Sequence, residues 1–95
     1  MSESRLEQRL KNEIERRGGK APKFISPGMR GMPDRIILLP GGRVIFVEMK
    51  APGETPTPLQ EKRADDLRKL GFKVYCIDSV EAIDVFITEV FGRGI

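Results

Sequence analysis

The strongest structural pattern in the chain is the stretch "DRIILLPGGRVIFVEMK" (residues 34–50). Two apolar runs flank Pro-Gly-Gly, which is typical of a tight connection between antiparallel strands. We therefore predict strands at Arg35–Leu39 and Arg43–Met49, joined as a hairpin. Charged residues stand at the ends far from the turn: Asp34 precedes the first strand, and Glu48 and Lys50 come at the end of the second.

The register of this hairpin decides whether the charges meet. If the turn has three residues, Leu39 pairs with Arg43 and Asp34 falls opposite Glu48. Cross-strand partners have Cβ atoms about 5 Å apart, and two carboxylates at that distance repel each other unless a cation lies between them. A hard divalent ion, Mg²⁺ or Mn²⁺, suits such oxygen ligands. A shift of one residue would instead put the two acids on different faces of the sheet.

Alternation along the second strand places Glu48 and Lys50 on one face, roughly 7 Å apart along the strand. The alternative interpretation is that Asp34 is a turn residue and that Glu48 and Lys50 form an exposed pair at a strand end. Taken alone, Glu-x-Lys is a weak signal, because such triplets occur by chance in basic proteins. The acid ahead of the hairpin makes the signal stronger.

Composition limits both the architecture and the chemistry. A chain of 95 residues with 39% apolar residues is typical of one globular domain, which we predict over residues 1–95. The charged N-terminus is unlike a signal peptide, and no apolar run approaches the roughly 20 residues that span a bilayer. We therefore predict a cytoplasmic protein of a bacterial or phage-infected cell that does not bind membranes.

The absence of histidine excludes several classes of catalyst. Without this residue the chain has neither Ser-His nor Cys-His chemistry, and no nuclease mechanism with a histidine base. One cysteine, Cys76, excludes an internal disulfide and a zinc site of several thiolates, and its neighbours predict a core position. The available groups are carboxylates, lysine, arginine and a hard metal ion.

The basic residues are concentrated near the N-terminus. The formal net charge is +3, which barely separates a nucleic-acid binder from an ordinary basic domain. The first quarter of the chain nevertheless carries a run of cations that form either solvated faces or a surface for phosphates: Arg5, Arg9, Lys11, Arg16, Arg17, Lys20 and Lys23.

Periodicity and breakers give the rest of the elements. A helix is predicted at about Ser4 to Arg17, followed by a loop from Lys20 to Pro33 in which "KFI" forms a short strand. A second helix is predicted from Pro58 to Leu70, and then "FKVYCI" as a strand parallel to its predecessor. Ser79 is the predicted N-cap of a last helix. The predicted fold class is α/β, a small mixed sheet flanked by helices in the order α-β-β-β-α-β-α.

The segment "GMPDRIILLPGGRVIFVEMKAPGETPTPLQ" (residues 31–60) resembles the core of the PD-(D/E)xK, or restriction-endonuclease-like, nuclease superfamily. More narrowly, it is similar to the VRR-NUC branch, whose stand-alone members are small phage and bacterial proteins. The likeness extends from the first helix to "GFKVYCIDSVEAI" (residues 71–83). It implies a restriction-endonuclease-like core.

The resemblance also implies a set of site residues. Asp34 and Glu48 match the metal-binding acids, and Lys50 matches the lysine that orients or activates the attacking water. Gln60 matches a glutamine counted with the site, where it either orients a water or caps the helix. Glu7 matches an acid that completes the metal environment, although it could instead pair with Lys11, one turn later on the helix.

These assignments imply a metal-dependent DNA endonuclease. We expect Asp34, Glu48, the Met49 carbonyl and Glu7 to hold Mg²⁺ or Mn²⁺. Arg30 and Arg35 flank the acids and are the predicted DNA-binding residues, with solvated arginines as the alternative. The family implies branched DNA as substrate, and in particular the resolution of Holliday junctions by a homodimer. The alternatives are a nuclease for nicked, flapped or duplex DNA and a catalytically silent DNA-binding module.

Overall fold

The computed structural model describes residues 1–92 and contains three helices and three strands within that range. Both hairpin strands begin and end where the sequence predicts, and the predicted helix boundaries lie within one residue of the observed ones. In chain order the elements are α1 (Glu3–Arg16), β1 (Arg35–Leu39), β2 (Arg43–Met49), α2 (Pro58–Lys69), β3 (Lys73–Ile77) and α3 (Val80–Phe91).

The three strands form one mixed sheet in the order β1-β2-β3. The β1–β2 hairpin is antiparallel and pairs Leu39 with Arg43, which confirms the predicted register. Gly41 and Gly42 have φ angles of 82° and 77°, a left-handed region that glycine enters without strain. Strand β3 is parallel to β2, as predicted from the intervening helix.

The predicted first strand is reduced to two isolated bridges, Lys20 with Leu38 and Lys23 with Arg35. Segment 20–24 still lies along the outer edge of β1. Lys20 exchanges two backbone hydrogen bonds with Leu38, at 2.8 and 2.9 Å, and the Pro22 carbonyl accepts one from Ile36 at 3.1 Å. Pro22 has no N–H to return that bond, so the pairing is interrupted. The observed order is therefore α-β-β-α-β-α within the predicted fold class.

Helices cover the two faces of the sheet unequally. Helices α1 and α3 cover one face and form the core with the inward residues of β2. On the other face lies α2, in which Leu67 is the one buried residue of Pro58–Lys69. Cys76, predicted to be a core residue, is exposed, because it lies on the edge strand and on the face that α2 covers incompletely. No helix within residues 1–92 is long and apolar enough to cross a membrane.

Candidate active site

Asp34 and Glu48 lie side by side at the end of the hairpin farthest from the turn. Arg35 pairs with Val47, so the same register puts the preceding Asp34 opposite Glu48. The Met49 backbone N–H donates to Asp34 Oδ1 at 2.9 Å, which ties the acid ahead of β1 to the end of β2. Hairpin geometry thus brings together two acids that are 14 positions apart in the sequence.

The Glu48 carboxylate is buried, with 8% of the residue exposed. The Gln60 side chain donates from Nε2 to Glu48 Oε2 at 3.3 Å. The other oxygen, Oε1, is also buried and has no hydrogen-bond partner among the residues that the structure describes. Since a buried carboxylate oxygen normally has a partner, this atom is suited to an additional ligand.

Burial and nearby negative charge raise the pKa of both acids. Burial, and then the negative charge of Asp34, raise the pKa of Glu48 to about 7, while the Lys50 charge opposes the rise. Burial also raises the pKa of Asp34, against the hydrogen bond from Met49 that lowers it. A divalent cation would favour the ionised form of both groups and give Oε1 a partner. The donor set therefore fits a hard metal ion.

Gln60 is held in place by the start of α2. Its backbone N–H donates to Thr57 Oγ1 at 3.1 Å, and its side-chain Oε1 accepts from the Thr57 N–H at 2.9 Å, which forms a capping box. With Oε1 occupied by the cap, the amide nitrogen points to Glu48. The same residue thus caps the helix and contacts the site, so the two roles left open by the sequence are compatible.

Glu7 pairs with Arg35, whereas the sequence had suggested Lys11 as its alternative partner. Arg35 donates to Glu7 Oε1 from Nε at 3.2 Å and from Nη2 at 2.8 Å, and from Nη1 to the Ala21 carbonyl at 2.7 Å. The charge of Glu7 still contributes to the raised pKa of Asp34. Glu7 therefore lies near the acidic pair and is itself neutralised by a cation.

No group of three or more acidic, histidine or cysteine side chains within residues 1–92 is arranged to hold a metal ion. The structure thus brings Asp34 and Glu48 together but does not add Glu7 as a third carboxylate. Met49 is 1% exposed and its side chain packs in the core. This residue could therefore bind a metal through its backbone and not through its side chain. Glu3, which the sequence did not single out, is close enough for its charge to raise the pKa of Glu48.

The two arginines predicted to bind DNA differ in accessibility. Arg35 is buried and three of its N–H groups are used by Glu7 and Ala21, so its position favours a structural role. Arg30 is exposed, and its carbonyl accepts from Arg63 Nε at 2.9 Å. This bond fastens the loop before Asp34 to α2 and leaves the Arg30 side chain at the surface.

Comparison with known proteins identifies the family of the chain. The VRR-NUC domain profile matches residues 1–81. "Putative nuclease p44" of Acyrthosiphon pisum secondary endosymbiont phage 1 is 51% identical over 77 residues, covering 81% of this chain and 83% of the phage protein. A solved structure described as "VRR_NUC domain" superposes with a TM-score of 0.83 at 31% identity, covering 94% of this chain and 96% of the other. The chain therefore belongs to the VRR-NUC family of nucleases.

Proposed function

We propose that the protein is a Mg²⁺- or Mn²⁺-dependent endonuclease that cleaves branched DNA and resolves Holliday junctions as a homodimer. The observation that supports it best is the buried acidic pair, in which Glu48 Oε1 lacks a hydrogen-bond partner among the described residues. Burying two adjacent carboxylates, each with a raised pKa, lowers the stability of the fold. They become useful when a divalent ion binds, and metal-dependent hydrolysis needs no histidine.

Each site residue has a distinct role in this proposal. Asp34, Glu48 and the Met49 carbonyl hold the ion, which supplies Lewis-acid activation of a water and of the scissile phosphate. Lys50, on the same face as Glu48, positions the water and offsets developing negative charge. Gln60 orients the Glu48 carboxylate through its 3.3 Å hydrogen bond.

Glu7 and the two arginines act around this centre. Glu7 and Arg35 form an ion pair of 2.8 Å beside Asp34, and we assign the pair to positioning the N-terminal end of β1. Arg30 is exposed ahead of the same strand, where it is free to contact a phosphate. Glu7 thus acts on Asp34 through its charge and through Arg35.

The proposed substrate and assembly depend on symmetry. Cutting a four-way junction on two opposed strands requires two active sites related by a two-fold axis, which a C2 homodimer provides. The phage relative supports action on phage DNA in the cytoplasm of an infected bacterium. This setting supplies branched replication and recombination intermediates.

The test is cleavage of an end-labelled synthetic four-way junction, with nicked, flapped and linear duplexes of equal length as competitors. Wild type, Asp34→Asn and Lys50→Ala are compared in Mg²⁺, in Mn²⁺ and in EDTA. Asp84→Asn, at an exposed position of α3, is the matched control for loss of a carboxylate. We expect paired incisions near the branch point with wild type and the control, and loss of at least 100-fold in rate with Asp34→Asn.

The possible outcomes separate the alternatives. Preference for a nick or flap would replace the resolvase with another nuclease. Junction binding without cleavage under any condition would indicate a silent DNA-binding module. A single mass by sedimentation that corresponds to a monomer on the junction would overturn the dimer.

A further inference from the structure

We propose that the DNA backbone runs from the acidic pair along a basic groove between α1 and segment 20–24, where Lys11, Lys20 and Lys23 bind successive phosphates. The inference rests on the proposed function for its ligand and adds the path that the substrate takes. The residues that it assigns to phosphate contacts are other than Arg30 and Arg35.

The groove consists of two adjoining concavities of about 300 and 330 Å³. They share Lys11 on α1, Lys23 on segment 20–24, and Arg35 at the floor. The first concavity also contains Glu7, and the second contains Lys20. The two concavities therefore form one continuous depression along the edge of β1.

The charges in this groove are unbalanced. Lys11, Lys20 and Lys23 are exposed, and none makes an ion pair within 4 Å with a residue in the described range. Glu7 is neutralised by Arg35, which leaves Glu15 as the remaining acid in the lining of residues 1–92. Three unpaired cations facing one acid attract a polyanion.

The groove lies next to Asp34 along the chain, because the following residue, Arg35, forms its floor. Phe24 donates its backbone N–H to the Asp34 carbonyl at 2.8 Å, and the neighbouring Lys23 lies opposite Arg35. Lys20 lies opposite Leu38, three residues farther along β1, or about 10 Å at the rise of a strand. A separation of this size allows Lys20 and Lys23 to contact the backbone of one DNA strand.

The groove on the other side of the acids is unsuited to a phosphate chain. It lies between α2 and β3, has a volume of about 320 Å³, and is lined by Glu48, Glu61 and Asp65. Its cation, Arg68, is already bound to Asp65 at 3.2 Å and to the Val74 carbonyl at 2.9 Å. The described lining thus offers a phosphate no cation that is free of an acidic partner, so the α1 side is the favourable path.

The test measures DNA binding without cleavage, in an Asp34→Asn background with Ca²⁺ in place of Mg²⁺. Lys11, Lys20 and Lys23 are all changed to Gln, and a control variant carries Lys62→Gln, Lys69→Gln and Lys73→Gln. Both variants lose three charges. The control lysines are exposed on α2 and at the start of β3 and line none of these grooves.

Dissociation constants are taken by fluorescence anisotropy from about 50 to 200 mM salt. We expect the groove variant to lose 2 to 3 units of the log K against log [salt] slope and at least tenfold in affinity, at about 0.9 unit per phosphate contact. The control variant should keep the slope of the Asp34→Asn parent. Single substitutions should each remove about one unit, and circular dichroism verifies that every variant folds.

Equal slopes for the groove variant and its parent would overturn the proposal, as would equal losses in the control. A parent that binds no DNA would overturn it as well. Cleavage by the otherwise wild-type protein is assayed separately. If the wild-type protein cuts DNA and the groove variant cuts equally well at 200 mM salt, the proposed DNA path is wrong and the proposed nuclease activity is retained. If the groove variant loses DNA binding and the wild-type protein never cuts DNA, the proposed DNA path is retained and the proposed nuclease activity is wrong.

Discussion

Glu48 combines burial with a carboxylate oxygen that has no hydrogen-bond partner within residues 1–92. An ionised carboxylate in this position would be destabilised by the lost hydration and by Asp34. Retaining the proton up to a pH of about 7 avoids that cost in the metal-free protein. The residue is therefore tolerated as a neutral acid and becomes an anion when a cation is available.

This behaviour predicts a pH-dependent stability. The Glu48 pKa rises from 4.5 to about 7 on folding, so between these values the folded state binds more protons than the unfolded state. The contribution of Glu48 to the free energy of unfolding is therefore fully present below pH 4.5 and is lost as the pH rises through 7. In EDTA, we expect the free energy of unfolding of wild type relative to Glu48→Gln to fall by about 2 kcal/mol between pH 5 and pH 8.

Urea denaturation of the two proteins at both pH values checks this expectation. Asp34 is present in both, so the comparison isolates Glu48. Parallel pH dependences would mean that Glu48 is ionised throughout and would contradict the assigned pKa.

The meeting of Asp34 with Glu48 was predictable because it follows from strand alternation and the length of one turn. The partner of Arg35 was not, because Glu7 lies 28 positions away on a different element. Side-chain pairing across elements depends on how a helix docks, and helical periodicity does not specify that. The surface position of Cys76 was missed for a related reason: an apolar pattern does not tell which strand is the edge.

At the scale of elements, the loop before β1 is attached closely to α2. An added Cβ at Gly31 would lie 2.7 Å from Leu59 Cγ and 3.1 Å from the Leu59 carbonyl oxygen, and the φ angle there is +82°. Leu59 immediately precedes Gln60. The loop that leads to one site residue therefore packs on the neighbour of another.

We therefore expect Gly31→Ala to lower stability by about 2 kcal/mol, from left-handed backbone strain and the clash, and to reduce cleavage by moving Gln60. Gly28→Ala is the matched control, because a Cβ there has no atom within 4 Å. Thermal denaturation and single-turnover cleavage measure the two effects. An unchanged Gly31→Ala protein would show that the loop and α2 are not coupled.

The elements differed from the prediction where proline acts against pairing. Pro22 interrupts the ladder of segment 20–24, although Lys20, Pro22 and Phe24 keep a common register with β1. A propensity for strand in "KFI" says nothing about which N–H groups are available to a neighbour. The hairpin strands, which contain no proline in their interiors, were located correctly.

At the scale of the whole molecule, most of the packing lies on one side of the sheet. Leu6 of α1 is fully buried there, while Leu70, after α2, is 74% exposed. Leu6→Ala should cost about 2–5 kcal/mol in the free energy of unfolding, a large share of the roughly 5–15 kcal/mol of a small domain. Leu70→Ala should change it by no more than about 0.5 kcal/mol.

Urea midpoints of the two variants provide the measurement. Similar losses in the free energy of unfolding would mean that the α2 side contributes as much to stability as the α1–α3 side. A much larger loss for Leu6→Ala would confirm that the α1–α3 side contributes most of the packing free energy.

The capping box at the start of α2 has a thermodynamic consequence. The Gln60 side chain accepts from Thr57 and donates to Glu48, so one rotamer serves two purposes. Fraying of the first helical turn would release the amide from Glu48 at the same moment. Helix nucleation and alignment of the site are therefore one cooperative event, and a cation that holds Glu48 in place would also slow hydrogen exchange at the end of a helix that it never touches.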